Sequence, residues 1–171
     1  ANAYYKKGNY AQARQLYLQA REIAPDSDKL IYNTGNAHHQ LKDYKSAEVE
    51  YRSIAGNAAD ADARLKSGAL YNLANTIYRA GGADATEKAI AQYQQALLLN
   101  PADEDAKYNI EFLRKKQDEQ QKQDEQQQQN QQNQQNQQQN QDQNQQNQDQ
   151  NQQNQDQKNQ QNQNHQNQQN Q

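Results

Sequence analysis

One motif occurs twice with the same spacing, and it limits what this chain can fold into. Ala13-x3-Tyr17-x2-Ala20-x4-Pro25 returns as Ala89-x3-Tyr93-x2-Ala96-x4-Pro101. Between them, Ala47-x3-Tyr51-x2-Ile54 is a third copy without the proline. A short helix with small residues at two points and an aromatic between them lies close against a partner helix. The proline ends it, because a ring without an N–H cannot continue the i to i−4 ladder. Repetition of such a unit predicts an all-α stacked solenoid, and solenoids mostly bind other proteins.

The apolar residues set the limits of that solenoid. No Ala, Val, Ile, Leu, Phe or Tyr follows Leu113, and all 11 tyrosines lie at or before Tyr108. Of the 171 residues, only about the first 115 can bury a core. The rest is Gln and Asn with scattered acids, and it cannot bury enough apolar surface to offset the entropy of ordering. Charge divides at the same place. Through Lys115 the chain has 15 Lys and Arg against 14 Asp and Glu, and from Lys116 onward 3 lysines face 7 acids. Neither part has the basic footprint that nucleic acid requires, and no stretch approaches transmembrane length. With no Cys there is neither a disulfide framework nor thiolate chemistry. The chain opens on Ala1 rather than Met, so a removed export signal or a longer parent chain is expected.

The units are legible as helix-turn-helix pairs. In the first, Tyr4 and Tyr5 end a helix, Gly8-Asn9-Tyr10 is the turn, and Ala13 to Ile23 is the second helix. The second unit begins near Asp28. Its first helix carries Ile31, Thr34, Gly35 and His38 at i, i+3, i+4, i+7, and its turn is Lys42-Asp43-Tyr44. The third unit carries Leu70, Leu73, Ala74 and Ile77 in its first helix. Gly35 and Ala74 are small where the two helices of a unit should cross closely. Two departures from the period are expected to be surface insertions. One runs roughly from Gly56 to Lys66, with Asn57 or Asp60 placed to cap an early start of the next helix. The other is the enlarged turn Gly81 to Thr86, with Thr86 at a helix start. Asp103-Glu104-Asp105 is an acidic first turn. It opens a helix whose Ala106, Tyr108, Ile110, Phe112 and Leu113 would cap the stack. Opposite charges four apart, from Arg114 to Lys122, would carry that helix to about Glu125 as a solvated rod.

These units resemble tetratricopeptide repeats (TPRs), pairs of helices of about 34 residues. The resemblance divides 1–116 into repeats at about 1–27, 28–61 and 67–103, with a capping helix over 104–116, and leaves 117–171 as a tail. More particular are Tyr32-Asn33-x-Gly35-Asn36, Leu70-Tyr71-Asn72-Leu73-Ala74-Asn75 and Asp105-Ala106-Lys107-Tyr108-Asn109-Ile110. With the Gln-rich tail they look like the TPR component of bacterial aerotolerance (Bat) operons. Ala74 stands where the pattern has glycine and Ile54 where it has a small alanine. The resemblance implies an exported or membrane-associated bacterial protein, in the periplasm or on the membrane of the cell envelope. Its partners would be of the von Willebrand factor A type. A cytoplasmic address is the alternative.

The same resemblance implies that the first helix of each unit lines a concave groove. The residues one turn apart there are Tyr32, Asn33, Asn36 and His39 in the second unit, and Tyr71, Asn72, Asn75 and Tyr78 in the third. Tyr5 and Lys6 begin the series, and Tyr108 and Asn109 continue it. An Asn amide offers both donor and acceptor, so a row of them suits the backbone of an extended peptide. Tyrosine adds contact area with few rotatable bonds. Tyr32 and Tyr71 stand where a lysine clamp for C-terminal carboxylates would put lysine, so no such clamp is expected. The alternative is that the asparagines stabilise the repeat itself by bonding to neighbouring helix backbone.

Enzyme chemistry has no foothold in this sequence. His38 and His39 point about 100° apart on a helix and cannot ligate one metal from one face. Gly81-Gly82 lacks the Gly-Lys-Ser/Thr of a phosphate cradle, and no Ser-His-Asp context appears. No cofactor, metal or small-molecule substrate is expected. The function read from the sequence is a non-enzymatic adaptor that binds a peptide or protein partner in the groove. The competing reading is structural self-assembly, with stacks joined end to end and the tail aiding them. A third is a regulatory module of a larger von Willebrand factor A–TPR chain. The tail, with Asp142, Asp149 and Asp156 recurring every seven residues, is expected to be a disordered hydrophilic spacer. A homotypic assembly segment is its alternative.

Overall fold

The computed structural model describes residues 1–56 and 62–169, and side chains as far as 137. Among the described residues there are seven α-helices and no strand. They are α1 (Asn2–Lys6), α2 (Tyr10–Ile23), α3 (Asp28–Gln40), α4 (Tyr44–Gly56), α5 (Ala63–Ala80), α6 (Ala85–Leu99) and α7 (Glu104–Gln169). Two compact units divide the chain, Ala1–Asp118 and Glu119–Gln171.

In the first unit, helices α1 to α6 pack each on the next, and α3 also touches α5. That contact order is what stacked hairpins produce, since each first helix meets the first helix of the following unit. The turns follow the sequence closely. Gly8 supplies a left-handed residue (φ 79°) before α2, and Lys42 takes the same role (φ 60°) before α4. Asp43 then caps α4, with its Oδ1 accepting from the Ser46 N–H at 3.3 Å. The enlarged turn before α6 uses three left-handed residues, Gly81, Gly82 and Asp84, and the helix starts at Ala85. Asp103 opens α7 by accepting from the Ala106 N–H at 3.0 Å.

Helix α5 has 18 residues against 13 in α3, so it does begin early. Asn57 and Asp60, expected to cap it, lie outside the described residues. The cap is Asp62, whose Oδ1 accepts from the Arg64 N–H at 3.0 Å.

Three apolar clusters hold the stack. Ala13, Tyr17 and Ala37 join the first hairpin to α3. Ala47, Tyr51, Ile54, Leu73 and Ile77 join α4 to α5. Ala74, Ala89, Tyr93, Ala106, Ile110 and Leu113 close the end, so residues 106–113 of α7 do cap the solenoid. Ile54, large where the repeat pattern is small, is fully buried between α4 and α5. Gly35 is required by packing, because a Cβ there would stand 2.9 Å from Cε1 of Tyr51. Arg21 of α2 pairs with Glu50 of α4 at 2.6 Å and ties neighbouring second helices together.

The second unit is helical as far as Gln169, beyond the fading expected near Glu125. It contains neither Gly nor Pro, and Gln favours helix. Local pairs run along it, from the Gln120 amide to Asp124 at 3.0 Å and from the Gln121 amide to Glu125 at 3.2 Å. Every described side chain from 119 to 137 is exposed. No described helix is long and apolar enough to cross a membrane.

Candidate functional site

The motif tyrosine of each second helix reaches an asparagine of its own first helix. Tyr17 donates to Asn2 Oδ1 at 2.6 Å, Tyr51 to Asn36 Oδ1 at 2.7 Å, and Tyr93 to Asn75 Oδ1 at 2.7 Å. A second asparagine then links one unit to the next. The Asn72 amide donates to Tyr32 OH and to Asn36 Oδ1, both at 2.9 Å. The Asn109 amide donates to Tyr71 OH and to Tyr93 OH, both at 3.1 Å. Tyr32 stacks edge-on against Tyr51, and Tyr71 against Tyr93, with centroids 6.0 and 5.4 Å apart. Burial pushes the Tyr32 hydroxyl upward in pKa, and pushes Tyr51 and Tyr93 much further. Asn36, Asn72, Asn75 and Asn109 thus brace the repeat through tyrosine hydroxyls and, for Asn36 and Asn72, each other, rather than through helix backbone.

This ladder floors a groove with two adjoining cavities. The first, about 360 Å³, is lined by Tyr5, Asn36, His39 and Gln40 at one side and Asn72, Asn75 and Arg79 at the other. The second, about 470 Å³, takes up Asn75 and Arg79 again and adds Tyr44, Tyr78, Asn109 and Phe112. Seven expected groove residues therefore come together: Tyr5, Asn36, His39, Asn72, Asn75, Tyr78 and Asn109. Lys6, Asn33, Tyr71 and Tyr108 line neither cavity. Tyr32 lines a separate one of about 250 Å³ with Asp62, Arg64 and Gly68. Tyr71 is taken up by its ring contact and the Asn109 amide, and Tyr108 is exposed at the surface of α7.

Seven lining residues were not in the expected groove series: Gln40, Tyr44, Tyr51, Arg79, Tyr93, Phe112 and Leu113. Arg79 lies four residues beyond Asn75, so one more turn of the same spacing reaches it. Phe112 lies three beyond Asn109 in the same way. Tyr44 belongs to a second helix, and no first-helix period points to it.

His39 shows how the polar end is arranged. Thr76 donates its hydroxyl hydrogen to the Asn72 carbonyl at 2.7 Å. Its oxygen can then only accept from the His39 Nδ1 at 2.8 Å, which places the ring hydrogen on Nδ1. Nε2 is left as an acceptor. Burial, helped by the Arg79 charge, lowers the His39 pKa below its ordinary value, so the ring is neutral near pH 7. His38 faces away from this and contacts Asp43 at 2.8 Å. The Ser46 hydrogen bonds are the largest cause that holds Asp43 below the usual carboxylate range. Among the described residues no three His, Asp or Glu side chains converge as metal ligands would.

A family model described as TPR repeat matches residues 1–42, which is α1 to α3 with the turn that follows. No curated protein matches the chain. Among solved structures, the first TPR of Spaghetti (RPAP3) bound to the HSP90 peptide SRMEEVD is similar, with a TM-score of 0.57 at 23% identity. The match covers 67% of this chain and 84% of that one. The stack of hairpins from α1 to the start of α7 is thus a TPR-like fold.

Proposed function

We propose that this protein is a non-enzymatic adaptor that holds a peptide or protein segment in the groove over Asn36, Asn72 and Asn75. One observation carries the reading. The two adjoining cavities sit on a floor braced by the tyrosine–asparagine ladder, so the groove is preorganised and a partner need not order it on binding. The similar Spaghetti domain was solved with a peptide, which supports a peptide as the occupant here. The local sequence resemblance to the Bat-operon component supports a finer reading. On it the partner is a von Willebrand factor A-type protein in a bacterial envelope complex, and 117–171 is a hydrophilic spacer.

The test is site-specific photo-crosslinking of the full chain in extract from its own cells. A photoreactive phenylalanine analogue replaces Tyr78 in the groove, or Val49, which is exposed on α4 and lines neither cavity. A partner captured from position 78 and not from 49 is the expected result. Equal capture from both would remove the groove from the account.

A further inference from the structure

The two cavities differ in chemistry. The first is walled by amides, His39 and tyrosine hydroxyls. The second keeps polar groups, from Asn75, Arg79 and Asn109, but adds the rings of Tyr44, Tyr78, Tyr93 and Phe112 and the Leu113 chain. Arg79 borders both, and it is the only Lys, Arg, Asp or Glu among the residues lining either. No carboxylate pairs with it among the described residues. A second cation stands close by. Lys116 Nζ lies 5.4 Å from the centre of the Tyr78 ring and donates to its hydroxyl at 2.8 Å. Phe112, at 48% exposed, leaves its ring open to an incoming side chain.

From this arrangement we propose, resting on the groove reading above, that the occupant is an internal acidic–apolar segment. An aliphatic or aromatic side chain enters the ring-lined cavity, and a flanking Asp or Glu meets Arg79, with Lys116 favouring a second acid. The aromatic walls exclude water from an apolar side chain and present edges and faces for it to pack on. Arg79 offers a planar fork that matches a carboxylate bidentately. A basic segment would set like charges against Arg79 and Lys116 with no acid in the walls to offset them. The carboxylate belongs to a side chain rather than to a C-terminus. Holding a terminal carboxylate takes several donors converging on one point. Here the amides of Asn72 and Asn109 are already spent on tyrosines and on Asn36.

The test uses the full chain and peptides of about nine residues, long enough when extended to span about 30 Å. All are acetylated and fluorescently labelled at the N-terminus, in a Gly/Ser background. The centre is Glu-Leu-Glu, Glu-Gly-Glu, Ser-Leu-Ser or Lys-Leu-Lys, and each is made with an amidated and a free C-terminus. Fluorescence anisotropy reads binding. Glu-Leu-Glu should bind best, equally well amidated or free, and should weaken when salt rises from about 50 to about 500 mM. Arg79→Gln and Phe112→Ala should each weaken it by about tenfold or more, with helicity unchanged because both side chains are exposed. Three results would overturn the proposal while leaving the groove reading intact. They are equal or tighter binding of Ser-Leu-Ser or Lys-Leu-Lys, equal binding of Glu-Gly-Glu, and a requirement for the free C-terminus. Binding of Glu-Leu-Glu that ignores both substitutions would also overturn it. Absence of binding by every peptide sinks this proposal, while partner capture from position 78 would still uphold the groove.

Discussion

Tyr51 donates to Asn36 across 2.7 Å from a ring that is 1% exposed. The bond ties the second helix of a unit to its first, and through Asn72 it reaches the next unit as well. This gives Asn36 a structural duty that its place in the groove hides. Replacing it by Ala strands a buried hydroxyl. An unmet buried donor costs about 1–3 kcal/mol, whereas removing both partners of a bond is much milder. Asn36→Ala should therefore lower the free energy of unfolding in urea by about 1–3 kcal/mol. Adding Tyr51→Phe to it should cost less than the sum of the two single changes. Strict additivity in the denaturant curves would mean that the two side chains do not share this bond. The practical consequence concerns function. Loss of partner capture in Asn36→Ala is no clean sign of a lost contact, so Arg79 and Phe112 are the better probes of the groove.

At the scale of helices, the two members of the second unit meet at Gly35. Here two known effects oppose each other. Alanine is favoured over glycine inside a helix by about 1 kcal/mol. Against that, its Cβ would lie 2.9 Å from the Tyr51 ring, and overpacking costs about 1–3 kcal/mol. The ring is held by Asn36 at one end and by Tyr32 at its edge, so it cannot swing aside cheaply. The clash should win, and Gly35→Ala should be destabilising by about 1 kcal/mol or more in a thermal or urea melt. A more stable variant would show that α3 and α4 can separate at no cost. The same crossing explains what was legible beforehand. Small residues at helical spacing, turn residues and acidic starts act locally, so the starts of α3, α6 and α7 could be placed from the sequence within a residue or two, whereas α2 starts at Tyr10, three residues before the expected Ala13. Asp62 was missed because several nearby Asn and Asp residues satisfy the same capping rule, and only the three-dimensional start of α5 chooses among them. In the groove, one-turn spacing along first helices identified Asn36, His39, Asn72 and Asn75. It did not indicate that Tyr32 and Tyr71 would be drawn into the ladder, because that depends on the tyrosine of another helix. Nor did it find Tyr44, which arrives from a second helix.

For the whole molecule, stability is passed from one hairpin to the next, and the two compact units are held by different means. Helix α5 touches α3, α4 and α6 and contributes Leu73, Ala74 and Ile77 to two apolar clusters. Helix α1 is one turn and a half with no buried residue. The described side chains of 119–137 are all exposed, so helix there gains only local hydrogen bonds and weak i, i+4 pairs. Each residue fixed costs about 1–2 kcal/mol of backbone entropy, and without tertiary burial the helix is close to balance with coil. Native-state hydrogen exchange reads these differences directly, because an amide exchanges only when its own bond opens. The amides of α5 should be the slowest, near the global unfolding free energy. Those of α1 should exchange much faster by fraying. Amides 119–137 should exchange with protection factors of only about tenfold or less, since helix that is populated about half the time protects no better. Protection in 119–137 comparable to that of α5 would refute the spacer reading. It would mean that this segment buries surface against another molecule, as the self-assembly alternative requires. Repeating the measurement over a range of protein concentrations would identify that molecule as a second copy of the chain if protection rises with concentration.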